Sequence, residues 1–201
     1  MSDNLVHLTK ERSTAATILR TLRLRAINPY GAVRKLPQLA ESQRVACLSE
    51  IPLAHLPRLV ERHGRYGVGF RKSFVQAAGG NPVWYLHKNS PAQLALFEEI
   101  RRTAYISPPE PGSWLWRITP FIDYPGAYGS VHYEYDWERE WRHVGDLAFH
   151  PEDVAFLFAP AEEHDLVRDW WGGQFGSTSP PCLDAELPTD QFAVEASRHA
   201  L

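Results

Sequence analysis

The chain has 201 residues, of which 44% are hydrophobic and 22% are charged, a composition typical of a soluble globular protein. A formal net charge of −3 excludes a global basic field for non-specific nucleic-acid binding. Two cysteines, Cys47 and Cys182, exclude a disulfide framework and a four-cysteine zinc site. No secretory signal or membrane-spanning apolar run is present in the sequence, so we expect a cytoplasmic protein. The length predicts one domain over residues 1–201, with a core from about residue 5 to residue 190 and a frayed C-terminal tail.

The first third of the chain alternates predicted strands and helices. The apolar patterns predict a strand at 6–8, an amphipathic helix at 14–25, a strand at 44–51, a helix at 53–63 and a strand at 66–70. In the last of these strands Gly67 and Gly69 share one face, where another backbone or a ligand can come close. Their Gly-x-Gly lacks the third glycine and the helix of a dinucleotide fingerprint.

The remaining elements are less regular in their order. The patterns predict helical turns at 73–78, an aromatic strand at 82–87, a helix at 90–105, strands at 114–121 and 153–158, a helix at 161–171 and a last short strand near 183–187. The helix that begins at Ser90 has a capping serine, a proline at its first position and Gln93 three residues after the cap. Its predicted buried stripe is Leu94, Phe97, Ile100 and Ala104.

The stretch from Tyr133 to Arg142 reads as one central strand. Alternation places one aromatic-rich set on one face, namely Tyr133, Tyr135, Trp137, Arg139 and Trp141. The other face is charged and carries Glu134, Asp136, Glu138, Glu140 and Arg142. Because carboxylates are buried only when they are paired, this face is expected to meet solvent, a cleft or a ligand. Arg142 and Glu140 either converge on a site or form a simple surface pair.

The count of about seven strands and four or five helices lacks the regular strand–helix repeat of a parallel sheet. We therefore expect an α+β fold with mixed, mainly antiparallel sheets and peripheral helices.

Several short motifs occur in an order that resembles the AbiGi abortive-infection family. They are His7-Leu8-Thr9, Cys47 to Leu53, Tyr66 to Phe70, Asn81 to Tyr85 and Glu138 to Arg142. The same order is similar to bacterial domains of unknown function with an N-terminal His-x-Thr and a late Glu-x-Glu-Trp-Arg. The resemblance covers roughly Val6 to Phe158 and implies an antitoxin-side role in phage exclusion. A cognate toxin or antitoxin is then the expected partner.

A second resemblance concerns chemistry. An early His-x-Thr strand, a middle strand with an aromatic residue and a late strand with glutamate is similar to the layout of DarT-like ADP-ribosyltransferases. This resemblance implies an ADP-ribosyltransferase-like fold that uses NAD and modifies nucleic acid or protein. Carried over by position, it assigns NAD binding to His7, Thr9 and Tyr66, and catalysis to Glu140. Substrate or partner contacts fall to Glu138, Trp141 and Arg142.

The residues also allow plainer interpretations. His7 on an apolar strand and Tyr66 beside Gly67 and Gly69 are typical of core packing as well as of a site. The nine histidines lack a tight ligand spacing, so no metal is expected. Two local groups of arginines and lysines could contact nucleic acid or simply be solvated: Arg20, Arg23, Arg25, Arg34 and Lys35, and Arg58, Arg62, Arg65, Arg71 and Lys72. Two classes remain, an NAD-consuming enzyme and a non-catalytic antitoxin that binds a partner protein or nucleic acid.

Overall fold

A computed structural model describes residues 3–50, 56–106, 110, 112–128, 130–133 and 136–199. The α-helices in the described residues are α1 (Arg12–Thr21), α2 (Leu56–His63), α3 (Lys72–Ala77), α4 (Pro91–Ile106), α5 (Trp114–Ile118), α6 (His164–Phe175) and α7 (Thr189–Arg198). The strands are β1 (Asn4–Thr9), β2 (Arg23–Leu24), β3 (Val45–Glu50), β4 (Tyr66–Arg71), β5 (Asn81–Pro82), β6 (Trp84–Tyr85), β7 (Ile122–Asp123), β8 (Gly126–Tyr128), β9 (Val131–Tyr133), β10 (Glu140–Val144), β11 (Leu147–Ala148), β12 (Val154–Phe158) and β13 (Cys182–Leu183).

The chain divides into two compact units. Unit 1 comprises Met1–Leu24, Leu48–Ala78 and Ala148–Leu201, and unit 2 comprises Arg25–Cys47 and Gly79–Leu147. The expectation of one domain over the whole chain stays a prediction.

The sheet of unit 1 has the strand order β13-β12-β4-β1-β3. β1 lies antiparallel to β4, with His7 opposite Val68 and Thr9 opposite Tyr66, and antiparallel to β3. β12 is antiparallel to β4 and parallel to β13. One face of this sheet packs into an apolar core whose buried members are Val6, Leu56, Phe156, Phe158, Leu183, Ala185, Phe192 and Ala196.

The two glycines of β4 lie very close to neighbouring groups of unit 1. A Cβ at Gly67 would lie 2.4 Å from the His7 carbonyl oxygen, and a Cβ at Gly69 would lie 2.3 Å from the Phe156 ring. The close approach predicted from the sequence is therefore confirmed. The neighbours are a backbone and an aromatic side chain of the protein itself.

Helix α7 lies where the sequence suggested a frayed tail. It runs from Thr189 to Arg198 and buries Phe192 and Ala196 against the core of unit 1. Phe192 stacks on Phe158 with ring centroids 6.0 Å apart. The buried phenylalanine stabilises this helix by burying apolar surface, and the expectation of a frayed tail stays a prediction.

In unit 2, strand β10 is antiparallel to β5. A separate apolar core contains Val33, Leu39, Ile100, Leu115 and Trp116. Helix α4 packs on this core through Leu96, Ile100 and Ala104. The predicted stripe is thus partly wrong, because the packed face is rotated away from Leu94 and Phe97, which are 56% and 41% exposed.

The predicted strand at 114–121 is wrong. Residues Trp114–Ile118 form α5, and a 3₁₀ turn follows at Thr119–Phe121. The buried residues Leu115, Trp116 and Thr119 recur at helical spacing rather than at the alternate positions of a strand. The Thr119 hydroxyl donates to the Trp116 carbonyl oxygen at 3.1 Å and secures the end of this helix.

The continuous central strand is also wrong. Strand β9 ends at Tyr133, a 3₁₀ turn spans Asp136–Glu138, and β10 begins at Glu140; residues 134–135 lie outside the described residues. The Arg139 N–H donates to the Asp136 carbonyl oxygen at 3.1 Å, and Arg139 has a left-handed φ of 48°. That turn breaks the alternation, so Glu138 and Glu140 do not share one strand face.

The single aromatic strand predicted at 82–87 is wrong, because the structure has two short strands there, β5 paired with β10 and β6 paired with β7. The remaining predicted elements are observed with shifted ends. Residues 51–55, which include the end of one predicted strand and the start of a predicted helix, lie outside the described residues. The α+β class is confirmed, since most strand pairs are antiparallel and β12/β13 and β6/β7 are parallel. The ADP-ribosyltransferase-like type stays a prediction. Among the described residues, none of the helices has the length and apolar character to cross a membrane.

Candidate functional site

The most concentrated group of charges in unit 2 surrounds Arg142, which is 0% exposed. Its Nε donates to Glu140 Oε1 at 3.0 Å, and its Nη2 donates to Glu140 Oε2 at 2.9 Å. Nη2 also donates to Asp123 Oδ2 at 2.8 Å, and Nη1 donates to the Pro120 carbonyl oxygen at 2.7 Å. The planar guanidinium can make such a fork, whereas a lysine ammonium cannot.

Asp123 links this pair to further polar groups. Its Oδ1 accepts from the Tyr124 N–H at 3.0 Å and from Arg34 Nη1 at 3.3 Å. Its Oδ2 accepts from the Tyr133 hydroxyl at 3.5 Å in addition to Arg142. Two arginines therefore face two carboxylates, and the formal charges of the four groups balance.

Arg34 is brought to Asp123 by a tight backbone approach. Gly31 has a φ of 88°, and a Cβ there would lie 2.1 Å from the Thr119 carbonyl oxygen. The Ala32 N–H donates to the same carbonyl oxygen at 3.0 Å. Only glycine fits this position without displacing the backbone next to Pro120.

Aromatic and thiol groups surround the charges. The Arg142 guanidinium lies 5.1 Å from the centroid of the Tyr30 ring, within cation–π range. Burial, followed by the negative charge of Glu140, raises the pKa of Tyr85 and of Cys47. Burial, followed by the negative charge of Asp123, also raises the pKa of Tyr133. These groups are neutral at physiological pH and act as hydrogen-bonding and packing partners.

The carboxylates stabilise the protonated form of the buried arginine. Burial alone would lower the pKa of Arg142, but Glu140 and Asp123 reverse this effect and raise it. A buried ion pair of this kind is strongly destabilised by the removal of either partner. Both oxygens of Glu140 accept hydrogen bonds from Arg142, and Arg142 also bonds Asp123 and Pro120, so the arrangement ties β10 to the segment 120–123 as a structural clamp.

The two other residues predicted near Glu140 are also buried. Glu138 is 7% exposed in the 3₁₀ turn, and Trp141 is 6% exposed in β10, where it lies opposite Pro82 of β5. Strand β10 is therefore covered on both faces around Trp141 and Arg142. Of the environments expected for the charged face, namely solvent, a cleft or a ligand, solvent is wrong for Arg142, which is 0% exposed and has its hydrogen-bond partners within unit 2.

The residues assigned to NAD lie in unit 1. Thr9 and Tyr66 are cross-strand neighbours, while His7 lies opposite Val68 in the same pair of strands. The Thr9 hydroxyl donates to the Glu11 carbonyl oxygen at 3.0 Å. The Tyr66 hydroxyl donates to Glu163 Oε1 at 2.8 Å, and Arg12 Nε lies 3.2 Å from Glu163 Oε2. The structure thus brings these three residues together on adjacent strands.

A cavity of about 150 Å³ lies beside Tyr66, between α1 and α6. Its walls include Leu19, Phe158 and Trp170, and Arg12 and Glu163 lie at its edge. Small-molecule sites usually enclose roughly 300–1,000 Å³. This cavity alone is smaller than a typical cofactor site. Among the described residues, histidine, cysteine and carboxylate side chains form no group of three that could hold a metal ion.

Comparison with protein families gives one match. The family model described as "Putative abortive phage resistance protein AbiGi, antitoxin" matches residues 27–157, well over half of the chain. The chain belongs to the AbiGi family. No curated protein and no solved structure matches the chain.

The AbiGi match covers the charge cluster completely. Arg34, Asp123, Glu140 and Arg142 all lie within residues 27–157, as does Tyr66. The match begins after His7 and Thr9, so the N-terminal His-x-Thr that contributed to the expected resemblance lies outside it. The DarT-like assignment of His7, Thr9, Tyr66 and Glu140 stays a prediction.

Sequence reasoning identified Glu140 and Arg142 but missed Asp123 and Arg34. Asp123 lies 19 positions from Arg142 and Arg34 lies 89 positions from Asp123, so no local spacing connects them. The sequence offered only the general rule that a buried carboxylate or guanidinium needs partners. That rule predicts the existence of partners without naming them.

Proposed function

We propose that this AbiGi-family chain is the antitoxin-side component of an abortive-infection system and acts by binding a cognate toxin protein. The family match over residues 27–157 carries this proposal. Binding without catalysis is consistent with the clamp around Arg142, where both oxygens of Glu140 accept hydrogen bonds from the arginine. A carboxylate that stabilises positive charge on a substrate must instead be free to face it.

The distribution of exposed apolar side chains supports a protein partner. Large hydrophobic residues exposed within residues 27–157 are Ile27, Trp84, Leu94, Phe97, Trp114 and Val144. Among the described residues outside that range, the exposed ones are Leu166 and Val194. Aromatic and aliphatic side chains that remain exposed are typical of interaction surfaces when they lie close together. Leu94 and Phe97 do so, because they are one turn apart on α4.

Phe97 is also held in place for such a contact. Its ring lies 5.1 Å from the Tyr124 ring in a tilted stack, and Tyr124 is 7% exposed. A side chain that is already ordered loses less entropy when a partner covers it. Leu94 and Phe97 therefore form the most defined apolar contact surface of unit 2.

Charge pairing favours a protein partner over nucleic acid. In the second basic group, Arg65 pairs with Glu186 at 2.8 Å and Lys72 pairs with Glu50 at 3.2 Å. In the first, Arg34 lies 3.3 Å from Asp123. Each carboxylate offsets a positive charge that phosphate groups would otherwise attract.

Co-expression tests the proposal. The full chain is expressed with the toxin encoded beside its gene, and growth and co-purification of the two proteins are measured. We expect the chain to restore growth, and the double substitution Leu94→Asp with Phe97→Asp to abolish both rescue and co-purification. Leu166→Asp is the matched control, because Leu166 is 50% exposed on a helix outside the matched residues. A toxin that stays equally toxic beside the wild-type chain contradicts the proposal.

An NAD-consuming activity is the second candidate, and it rests on the DarT-like resemblance together with the position of Tyr66 at an open cavity. Purified protein is mixed with NAD, with and without DNA or RNA, and released nicotinamide is measured. Release that disappears in both Tyr66→Ala and Glu140→Gln would support it. An absence of released nicotinamide under all of these conditions would rule out the NAD-consuming activity and leave the antitoxin role as the remaining candidate.

A further inference from the structure

The cavity beside Tyr66 results from small residues between two helices and the sheet of unit 1. Helix α1 contributes Ala15 and Ala16 to its wall, β4 contributes Gly67, and Ala159 follows directly after β12. Side chains this small leave open the space between α1 and α6 that larger residues would fill. Protein interiors otherwise contain few voids larger than a water molecule.

The volume of the cavity matches one aromatic ring. It measures about 150 Å³. An engineered apolar cavity of about 150 Å³ in another protein, lined by aliphatic and aromatic side chains, binds benzene. The cavity beside Tyr66 is therefore large enough for a substituted benzene, while cofactor-sized ligands need a larger site.

Aromatic side chains line the cavity on three sides, from β4, β12 and α6. They are Tyr66, Phe158 and Trp170. Phe158 is 2% exposed and stacks on Phe192 with ring centroids 6.0 Å apart, while Trp170 meets Phe175 edge-on at 5.8 Å. Aromatic pairs gain stabilisation beyond the area they bury, and ordered rings lose little entropy when a ligand contacts them. These walls favour an aromatic ring over an aliphatic one.

The charged groups at the cavity edge already offset one another. Arg12 Nε lies 3.2 Å from Glu163 Oε2, and the Tyr66 hydroxyl donates to Glu163 Oε1 at 2.8 Å. Beside Tyr66, Arg65 pairs with Glu186 at 2.8 Å. An ion that enters the cavity would lose its hydration and find each of these charges balanced by a partner. The site therefore favours a neutral ligand.

We propose that this cavity binds a small neutral aromatic molecule, about the size of a substituted benzene, with its ring between α1 and α6 against Phe158 and Trp170. Such a ligand contacts both helices and the sheet at once. Its binding stabilises the folded state of unit 1 by mass action. This site requires neither the antitoxin role nor an NAD-consuming activity.

Fluorine NMR of matched one-ring probes with the purified full chain tests the proposal. Fluorobenzene and 4-fluorotoluene are neutral and aromatic, fluorocyclohexane is neutral but not aromatic, and 4-fluorobenzoate and 4-fluorobenzylamine are charged. We expect the two neutral aromatic probes to bind about tenfold or more tightly than either ion, and more tightly than fluorocyclohexane. Ions that bind as tightly as the neutral probes, or fluorocyclohexane that binds as tightly as fluorobenzene, would overturn the proposal.

Three variants locate the binding site. Ala15→Phe fills the cavity from α1 and Val167→Phe fills it from α6, so each should weaken fluorobenzene binding about tenfold or more. Thr17→Phe adds the same ring at an exposed position of α1 outside the cavity wall and should bind as wild type.

Two controls make the variants decisive. Circular dichroism shows which variants are folded, and a folded variant from either helix is sufficient to decide. In thermal unfolding, 4-fluorotoluene should raise the melting temperature of wild type and Thr17→Phe, but not that of the filled variants. If no probe binds wild type, or if the filled variants bind as wild type does, the proposal is wrong. Toxin rescue by the wild-type chain would then leave the antitoxin function standing.

Discussion

Arg142 and Glu140 are held to each other by two parallel hydrogen bonds, from Nε to Oε1 at 3.0 Å and from Nη2 to Oε2 at 2.9 Å. The arginine side chain is 0% exposed and the glutamate side chain is 15% exposed. In a buried ion pair, water cannot readily replace a missing partner. Removal of one group therefore leaves the charge of the other uncompensated and destabilises the protein. The stability of unit 2 is expected to depend on this pair more than on any surface ion pair described here.

Glu140→Gln should lower the free energy of unfolding by about 1–3 kcal/mol, because the amide supplies one acceptor and no charge to a buried guanidinium. Arg142 keeps Asp123 and the Pro120 carbonyl oxygen, which limits the loss. Glu98→Gln is the control, since Glu98 and Arg101 are both exposed and exposed pairs contribute about 0–1 kcal/mol. Urea unfolding of the two variants measures the difference. Equal losses would show that the Arg142 pair contributes no more than a surface pair.

Replacement of the arginine itself should have a larger effect. Arg142→Met leaves the Glu140 carboxylate without its cation and leaves Asp123 with Arg34 as its cationic partner, and it should cost about 3–5 kcal/mol. Arg142→Lys keeps the charge but loses the fork that reaches four acceptor oxygens, so this substitution should lower the stability less than Arg142→Met. Thermal unfolding of both variants provides the comparison. A methionine variant as stable as the lysine variant would mean that shape matters here and charge does not.

Gly31→Ala tests the backbone approach that positions Arg34. Gly31 and Gly145 both have positive φ, but an added Cβ meets the Thr119 carbonyl oxygen at 2.1 Å only at Gly31, whereas nothing lies within 4 Å at Gly145. Gly145→Ala should therefore cost about 1–2 kcal/mol for backbone strain alone. Gly31→Ala should cost clearly more, and its denaturant midpoint should fall further. Similar midpoints for the two variants would contradict the close approach.

Alkaline pH should weaken unit 1 through Cys182. Burial raises the pKa of its thiol to about 12, above the value that the same thiol has in the unfolded chain. The folded state then holds the proton more tightly, so the stabilisation is complete below the unfolded pKa and is lost as pH rises toward 12. The slope from this group approaches roughly 1.4 kcal/mol per pH unit between the two pKa values. Urea unfolding at pH 8 and pH 10.5 should show a steeper decline for wild type than for Cys182→Ala, and equal declines would contradict this account.

The local patterns of the sequence were sufficient to predict many helices and strands of this protein. Helix α4 begins as its capping residues predict, with the Gln93 N–H donating to Ser90 Oγ at 3.2 Å. Strand β4 and its two closely packed glycines follow from alternation and from the missing side chains. These features depend on residues close in sequence, whose conformational preferences act before any tertiary contact forms.

Only the tertiary structure showed which residues form the charge cluster around Arg142 and how the chain turns beside it. The alternation from Tyr133 to Arg142 suggested one strand, but a 3₁₀ turn and the left-handed Arg139 interrupt it. The sequence suggested a Glu140–Arg142 pair, yet Asp123 and Arg34 come from distant segments. A buried guanidinium must satisfy its donors wherever acceptors are available, and their identity is set by packing of segments that are remote along the chain.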